Sequence, residues 1–451
     1  MERDAIDLKT LNVFKLFSKY FIPTLLGMLG MSAVTAIDGI FVGQGVGSDG
    51  IAAVNISIPL LMIFTGTGLM IGVGCSVVAS IQSARGKIRT ARINVTQALV
   101  TVAVFAAVPS LIALLFPDRV LRLLGASPAL LPLARDYMLW SVPSWLFTMW
   151  VAVSLFVIRL DGRPRLAMAC SLISAVINVV LDWIFIFPWG WGVKGAAIAT
   201  SISVVIGGLI AVGYLLFKAR FLRLYPIKWS TKSLRLFVRN MGYQCRIGSS
   251  ALLAEATLAT LMFMGNHLFM HYLGERGVGA FGIACYYTPF VFMVGNAIAQ
   301  SAQPIISYNF GSGSLHRVRR TFQIALLTAV LCGTAVTSLF VFFPQLLVGL
   351  FIPSDDPTFV IATTGFPYYA AGFVFFVLNL TTIGYYQSLE QVKPATALAL
   401  LRGFIFLIPA FLLLPRWIGT PGIWLALSVS ELLTALCSLC LYLFRLRGSN
   451  H

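Results

Sequence analysis

Long apolar stretches alternate with short polar connections along almost the entire chain. The stretches are ~20 residues or longer, which is enough to cross ~30 Å of hydrocarbon as α-helices. Only 10% of the residues are charged and the mean hydropathy is +0.90, which excludes a soluble globular protein. We therefore predict an all-α integral membrane protein with twelve transmembrane helices. The predicted spans are residues 20–44, 51–83, 93–116, 136–158, 166–188, 193–217, 246–271, 278–309, 321–343, 360–386, 395–415 and 420–444.

The second half of the chain repeats the first at an offset of 227 residues. Gly47 returns as Gly274, and Gly195 returns as Gly422. Around the second pair, the run GVKGAAIATSIS aligns with GTPGIWLALSVS. Each half has six predicted spans, an even number, so both halves enter the membrane from the same side. The sequence thus predicts two six-helix lobes related by a parallel internal repeat, an arrangement typical of transporters.

Five regions follow from this pattern. They are an amphipathic cytoplasmic lead-in at 1–19, an N-lobe at 20–217, a basic linker at 218–245, a C-lobe at 246–444 and a cytoplasmic tail at 445–451. The linker interleaves basic and aromatic residues, which suits contact with anionic lipid headgroups. A solvated loop on the inner side of the membrane explains the same composition equally well.

The positive charge of the chain is distributed unevenly between the two sides of the predicted membrane. The net charge of +17 would suggest a nucleic-acid partner in a soluble protein. Here one side carries 25 of the 32 Lys and Arg residues, the other carries six, and Arg402 falls within a span. This asymmetry follows the positive-inside rule, so both termini are predicted in the cytoplasm of a multi-pass plasma (inner) membrane protein. No nucleic-acid binding is predicted.

Acidic residues inside the predicted spans are the strongest functional signal, because an Asp at a helix centre costs about 3 kcal/mol on insertion scales. Asp38, Asp182 and Thr200 all lie ~9–11 Å beneath the outer surface by residue count. Asn178 lies one helical turn deeper, on the same face as Asp182. Adjacent carboxylates favour proton exchange, and the same oxygen-rich group suits Na⁺. The sequence does not choose between these two coupling ions.

The internal repeat provides a control for this group. Asp38, Asn178, Asp182 and Thr200 correspond in the second half to Gly265, Ile405, Pro409 and Leu427. The C-lobe therefore lacks the polar set, and the coupling chemistry is predicted in the N-lobe.

Three further charged residues lie inside the C-lobe spans. Glu255 and Glu431 are nearer the midplane, and Arg402 is within reach of an acidic partner. One interpretation is a structural salt bridge that ties span 11 to span 12 or to span 7. The other is an accessory or substrate-contacting role. No cofactor and no metal ion other than Na⁺ is predicted.

Four runs of sequence resemble the multidrug and toxic compound extrusion (MATE) family, and the resemblance extends over essentially the whole chain. They begin at Ala36, Asn178, Gln303 and Leu400, and they read AIDGIFVGQGVGSDGIAAVNISIP, NVVLDWIFIFPWGWGVKGAAIATS, QPIISYNFGSGSLHRVRR and LLRGFIFLIPAFLLLP. The resemblance implies twelve helices in two six-helix lobes and export driven by inward movement of H⁺ or Na⁺.

The N-lobe residues are similar to those of the DinF-like branch of that family. This branch uses an Asp on span 1 with an Asn, an Asp and a Thr on spans 5 and 6, positions held here by Asp38, Asn178, Asp182 and Thr200. It also has a Pro fifteen residues before the first Asp, proposed to bend the helix on protonation. Pro23 matches that hinge position, and a static kink is the alternative.

The NorM-like branch instead uses acids on spans 7 and 10. Glu255 resembles the first of these acids, whereas predicted span 10 contains none. Glu255 is therefore expected to be an accessory or substrate-contacting residue.

Together these features predict a secondary active antiporter that exports lipophilic, mostly cationic small molecules and works as a monomer among membrane lipids. The alternatives are a flippase for a lipid-linked precursor and a narrow-substrate metabolite exporter of the same superfamily. A membrane-embedded enzyme is disfavoured because the chain has no HExxH or GxSxG motif.

Overall fold

The structure is a computed structural model that describes residues 8, 11–124, 126, 128, 130–226 and 230–448. Every regular element in those ranges is helical. Within the same ranges, eleven helices are long and apolar enough to cross a membrane, and a bent helix pair raises the number to twelve. The predicted all-α fold with twelve spans is confirmed.

The first compact unit comprises residues up to 251 together with residues 307–315. Its α5 (Leu131–Leu160) packs against both α2 (Ser48–Ala84) and α7 (Gly192–Gly213), and α1 (Val13–Val46) packs along α6 (Pro164–Ile186). The other helices of this part are α3 (Ile88–Leu115) and α4 (Pro117–Leu123). A π-helical turn, Tyr214–Lys218, follows α7 directly.

Helix α1 begins earlier than the first predicted span. The side chain of Asn12 caps it by accepting the backbone N–H groups of Phe14 and Lys15, at 3.0 and 3.4 Å. Residues 13–19 of the predicted lead-in therefore continue into the span as one helix. Lead-in residues 1–7, 9 and 10, linker residues 227–229 and tail residues 449–451 lie outside the described residues.

The second compact unit comprises residues 252–306 and the chain from 316 onward. Helix α8 (Thr231–Gly311) is broken at Gly274 into two apolar spans, Ser233–Gly274 and Arg276–Gly311. The remaining helices are α9 (Leu315–Phe342), α10 (Pro344–Gly349), α11 (Pro357–Ala370), α12 (Phe373–Ser388), α13 (Val392–Leu400), α14 (Leu407–Ile418) and α15 (Thr420–Gly448). A second π-helical turn, Leu401–Ile405, lies between α13 and α14.

Glycines with positive φ recur at the repeat offset. A positive φ places the backbone in a region that suits glycine because it has no Cβ. Each of these glycines lies at or next to the junction of two helical segments, so the offset read from the sequence marks equivalent turns in the two halves. The pairs, with their φ angles, are Gly47 (90°) and Gly274 (65°), Gly86 (76°) and Gly313 (79°), and Gly192 (56°) and Gly419 (71°).

The tenth predicted span is a broken helix, in which α11 and α12 meet at a bend of 44°. The backbone N–H of Gly372 donates to the hydroxyl of Ser428 on α15 at 2.8 Å. The same hydroxyl lies 2.9 Å from the carbonyl of Tyr368, the group that Gly372 would bond in an unbroken helix. A Cβ at Gly372 would lie only 2.3 Å from the Ser428 Cα. An inserted serine hydroxyl, with close helix contact, therefore explains the bend.

Candidate functional site

Two of the predicted carboxylates lie side by side in the first unit. Asp38 on α1 and Asp182 on α6 are within hydrogen-bonding reach of each other. The packing of α1 along α6 produces this proximity, because the residues are 144 positions apart in the chain. Asp182 is fully buried and Asp38 is half-buried.

The oxygens of this acid pair are poorly satisfied. Both carboxylate oxygens of Asp182 and Oδ1 of Asp38 are buried without a hydrogen-bond partner among the described residues. Ionised carboxylates only accept hydrogen bonds, so neither can bond the other until one carries a proton. Unpaired buried charge is costly. The geometry therefore fits a site that takes up a proton or a hard cation such as Na⁺.

The other two predicted residues stand beside the acid pair. Asn178 lies one turn before Asp182 on α6, and its amide Nδ2 donates to Thr200 Oγ1 on α7 at 3.4 Å. The two helices are also tied by Ser174, whose hydroxyl donates to the carbonyl of Ser203 at 2.8 Å. The structure thus brings the four predicted residues together, and their role in ion coupling remains a prediction.

Tyr137 lies near the acid pair and was not predicted from the sequence. Its side chain on α5 is buried and is close enough to Asp38 and Asp182 to interact electrostatically with both. Tyrosines near span ends are common as interfacial anchors, so its position near the start of span 4 did not mark it as part of a site.

In the second unit, Arg402 and Glu431 form a buried ion pair. The Arg402 Nε and Nη2 atoms donate to Glu431 Oε1 at 2.9 and 2.7 Å. Asn379 donates to the other carboxylate oxygen at 2.7 Å, and the Arg402 guanidinium lies 4.4 Å from the centre of the Phe376 ring. Of the two salt bridges left open by the sequence, the one between spans 11 and 12 is therefore present.

Glu255 and Pro23 are the remaining residues predicted for the site. Glu255 is half-buried on α8 and has no share in the Arg402–Glu431 pair. Pro23 is buried inside α1, fifteen residues before Asp38, and α1 continues through it as one helix. The proline removes a backbone donor and so weakens the helix at that turn.

Two repeated sets of membrane-spanning helices, with a buried acid pair in one of them, define a multi-pass membrane transporter. Residues 23–184 and 251–412 match the MatE family, once in each half of the chain. The chain therefore belongs to the MatE family, which confirms the resemblance drawn from its sequence. The protein is an efflux transporter and not an enzyme. The matches begin 228 residues apart, close to the repeat offset of 227.

Named relatives cover nearly the whole chain. The multidrug export protein MepA of Staphylococcus saprophyticus is 25% identical over 447 residues, which are 96% of this chain and 94% of the relative. An FAD transporter of Shewanella oneidensis is 26% identical over 437 residues, covering 94% and 92%. A crystal structure of the Vibrio cholerae MATE transporter VcmN has a TM-score of 0.88 at 22% identity and covers 97% of both chains. This likeness supports the two-lobed helical fold.

Proposed function

We propose that the protein is a secondary active antiporter that exports lipophilic, mostly cationic small molecules in exchange for H⁺ or Na⁺. The observation that carries the proposal is the carboxylate of Asp182, which is buried beside Asp38 and accepts no hydrogen bond from the described residues. A buried acid pair of this kind is stable only with a compensating positive charge. The name of the MepA relative supports drugs as the exported class.

The acid pair couples the two fluxes through competition for negative charge. When a proton or Na⁺ occupies the pair, Asp38 and Asp182 attract a cationic substrate weakly. When that ion leaves, their combined negative charge favours the substrate. Binding of one cation therefore lowers the affinity for the other, and this thermodynamic coupling is reciprocal. Asn178 and Thr200 supply neutral oxygens that complete the coordination of Na⁺ or orient the proton-bearing carboxyl.

Pro23 is proposed as the hinge of α1. The carbonyl of Lys19 lies four residues earlier and cannot receive a backbone N–H from a proline. A bend at this turn would shift Asp38 relative to Asp182, which links occupancy of the pair to the shape of the helix. A Pro23→Ala variant restores the missing donor, and we expect it to slow export without removing ion binding.

The location and assembly belong to the same proposal. The basic segments of the chain support a plasma (inner) membrane protein with both termini in the cytoplasm. The duplicated halves support a working monomer. A cysteine-accessibility assay on intact cells tests the orientation. In a background without the native cysteines, the single substitutions Glu2→Cys and Asn450→Cys should be labelled only after the cells are opened.

Export is tested with the purified protein in liposomes. Vesicles loaded with ethidium are given either an imposed pH gradient or an imposed Na⁺ gradient, and efflux is followed by fluorescence. We expect one gradient alone to drive efflux in the parent and neither to drive it in Asp182→Asn. Efflux that is equally fast in parent and variant would contradict the proposed role of the acid pair.

A matched control uses an acid outside the spans. Asp118 on α4 forms an exposed ion pair with Arg135 at 3.6 Å, and such pairs contribute little. Asp118→Asn removes the same charge as Asp182→Asn and is expected to export at the parental rate. If both variants fail alike, loss of an acidic charge anywhere explains the result and the site assignment is wrong.

A narrow-substrate metabolite exporter is the second candidate, because one relative of similar identity and coverage is named an FAD transporter. Flavin nucleotides added to the liposome assay separate the two candidates. Competition by FAD, together with poor ethidium efflux, would favour the metabolite exporter. A lipid-linked precursor flippase is less consistent with the site, since the acid pair repels an anionic headgroup. The same repulsion acts on the pyrophosphate of FAD, so the metabolite exporter rests on the named relative alone.

A further inference from the structure

The chain that leaves α7 turns back and is held by one buried carboxylate. Asp161 immediately follows α5 and is 2% exposed. It accepts the hydroxyl of Tyr214 at 2.6 Å and the backbone N–H groups of three consecutive residues at 2.9, 2.8 and 3.1 Å. Those residues are Arg220, Phe221 and Leu222. Successive N–H groups converging on one carboxylate fix the local backbone.

Other bonds secure the same turn, which we name the Asp161 clamp (residues 214–225 held on Asp161). The N–H of Leu224 donates to the carbonyl of Leu215 at 3.2 Å. The N–H of Tyr225 donates to the hydroxyl of Thr96 on α3 at 2.9 Å. The first residues of the predicted linker are therefore an ordered structure, whereas a purely solvated loop needs no buried acid to shape it.

The clamp displays aromatic and basic side chains together. Phe217 is 75% exposed and Phe221 is 50% exposed. Lys218, Arg220 and Arg223 are exposed beside them. Large exposed aromatic residues at the end of a predicted span are expected to contact lipid, and neighbouring cations are expected to contact headgroups.

Two guanidinium groups are oriented by backbone carbonyls of the clamp. Arg92 Nε donates to the carbonyl of Phe221, and Arg223 Nε donates to the carbonyl of Leu216, both at 2.8 Å. An arginine held through Nε still has two Nη amino groups with which to bind a phosphate. A guanidinium group that is already held in position loses little conformational entropy when it binds a phosphate.

The chain segments that form and flank the clamp contain almost no negative charge. Segments 84–92, 159–165 and 214–226 together contain ten Lys and Arg residues, and their single acid is Asp161. The carboxylate of Asp161 is already occupied by the four donors of the clamp. The exposed cations of the clamp therefore have no acidic side chain within these segments with which to pair.

We propose that the Asp161 clamp binds the headgroup of an anionic phospholipid in the leaflet predicted to face the cytoplasm. The guanidinium groups of Arg92, Arg220 and Arg223 bind the phosphate, and Phe217 and Phe221 pack on the glycerol and upper acyl region. A soluble anion would satisfy the charges, but the two exposed phenyl rings favour a ligand with an apolar part. This site is independent of the acid pair and of the proposed transport activity.

The test is lipid binding by the full-length purified protein, measured by native mass spectrometry with phosphatidylglycerol and phosphatidylcholine. The variant Arg220→Gln/Arg223→Gln removes two exposed charges of the clamp. We expect its affinity for phosphatidylglycerol to fall about tenfold or more, because each basic residue near an anionic surface strengthens the attraction. Phosphatidylcholine binding should be unchanged. Equal phosphatidylglycerol binding by parent and variant would overturn the proposal.

The control variant is Arg119→Gln/Arg122→Gln, which removes two exposed charges from α4 on the opposite predicted side. It should bind phosphatidylglycerol like the parent, and an equal loss there would show that only net charge matters.

A second variant, Tyr214→Phe, deletes one hydrogen bond to Asp161 without changing any charge, so we expect a smaller loss of affinity for phosphatidylglycerol. Thermal midpoints in lipid-free detergent check folding. Displacement of phosphatidylglycerol by inorganic phosphate would identify a soluble-anion site and contradict the lipid assignment.

Discussion

Two buried acidic groups, one in each compact unit, differ in what surrounds them. Asp182 lies beside a second carboxylate and receives no hydrogen bond from the described residues. Glu431 accepts three bonds, two from Arg402 and one from Asn379. Both residues are fully buried. A buried acid therefore does not by itself indicate an ion site, because the neighbouring donors decide whether its charge is already compensated.

In the second unit, two of the positions that correspond to the predicted ion-site residues are closely packed and apolar. Gly265, which corresponds to Asp38, packs so closely on Phe281 that a Cβ would lie 2.2 Å from the ring. Leu427, which corresponds to Thr200, is buried. These two positions of the second unit thus serve close packing, whereas Ile405 and Pro409, which correspond to Asn178 and Asp182, are exposed. The charged pair of this unit is formed elsewhere, by the Leu401–Ile405 turn and α15.

The largest effect is expected from breaking the compensated pair. Arg402→Leu leaves Glu431 buried and unpaired, which costs about 3–5 kcal/mol in comparable buried pairs. We expect a large fall in the thermal midpoint of the purified protein, or a loss of folded material on size-exclusion chromatography. The double variant Arg402→Leu/Glu431→Leu should recover most of that stability. A stable single variant would show that the pair is not structurally important.

Asp182→Asn should have the opposite profile. Removing a poorly satisfied charge is expected to leave the thermal midpoint unchanged or higher, while gradient-driven efflux falls about tenfold or more because the charge that couples the fluxes is gone. Glu431→Gln is the matched substitution in the other unit, and it should lower stability more than transport. Parallel losses of stability and efflux in both variants would remove the distinction between the two acids.

A smaller effect is expected at Asn178. Asn178→Ala deletes a neutral donor and acceptor beside the acid pair, and one hydrogen bond of this kind contributes about 1 kcal/mol. The ion concentration that half-saturates efflux should therefore rise about fivefold, with little change in the maximal rate. A change in maximal rate alone would assign Asn178 to a later step than ion binding.

The smallest effect is expected at Tyr137. Tyr137→Phe removes only a hydroxyl group near the two carboxylates and keeps the buried ring on α5. We expect about a two- to threefold change in the ion dependence of efflux and an unchanged thermal midpoint, since the hydroxyl interaction is worth a fraction of a hydrogen bond to a charged group. A loss as large as that of Asp182→Asn would make Tyr137 a principal member of the site.

Residue counting predicted the number of spans and placed Asp38, Asp182 and Thr200 in one group, because length and hydropathy determine where a helix crosses the membrane. It did not predict which way each helix is rotated. The choice between Glu431 and Glu255 as the partner of Arg402 therefore stayed open, and Tyr137 went unnoticed. The bend at Gly372 was also missed, because it depends on the Ser428 hydroxyl, 56 residues further along the chain.

The acid pair also limits the net charge that the proposed exchange cycle moves across the membrane. Asp38 and Asp182 together carry at most two negative charges, so each cycle returns at most two monovalent ions. One ion exchanged for one monovalent drug moves no net charge. Two ions move one net elementary charge, worth about 2.3 kcal/mol at 100 mV. The number of ions bound by these two carboxylates thus sets whether the membrane voltage contributes to export.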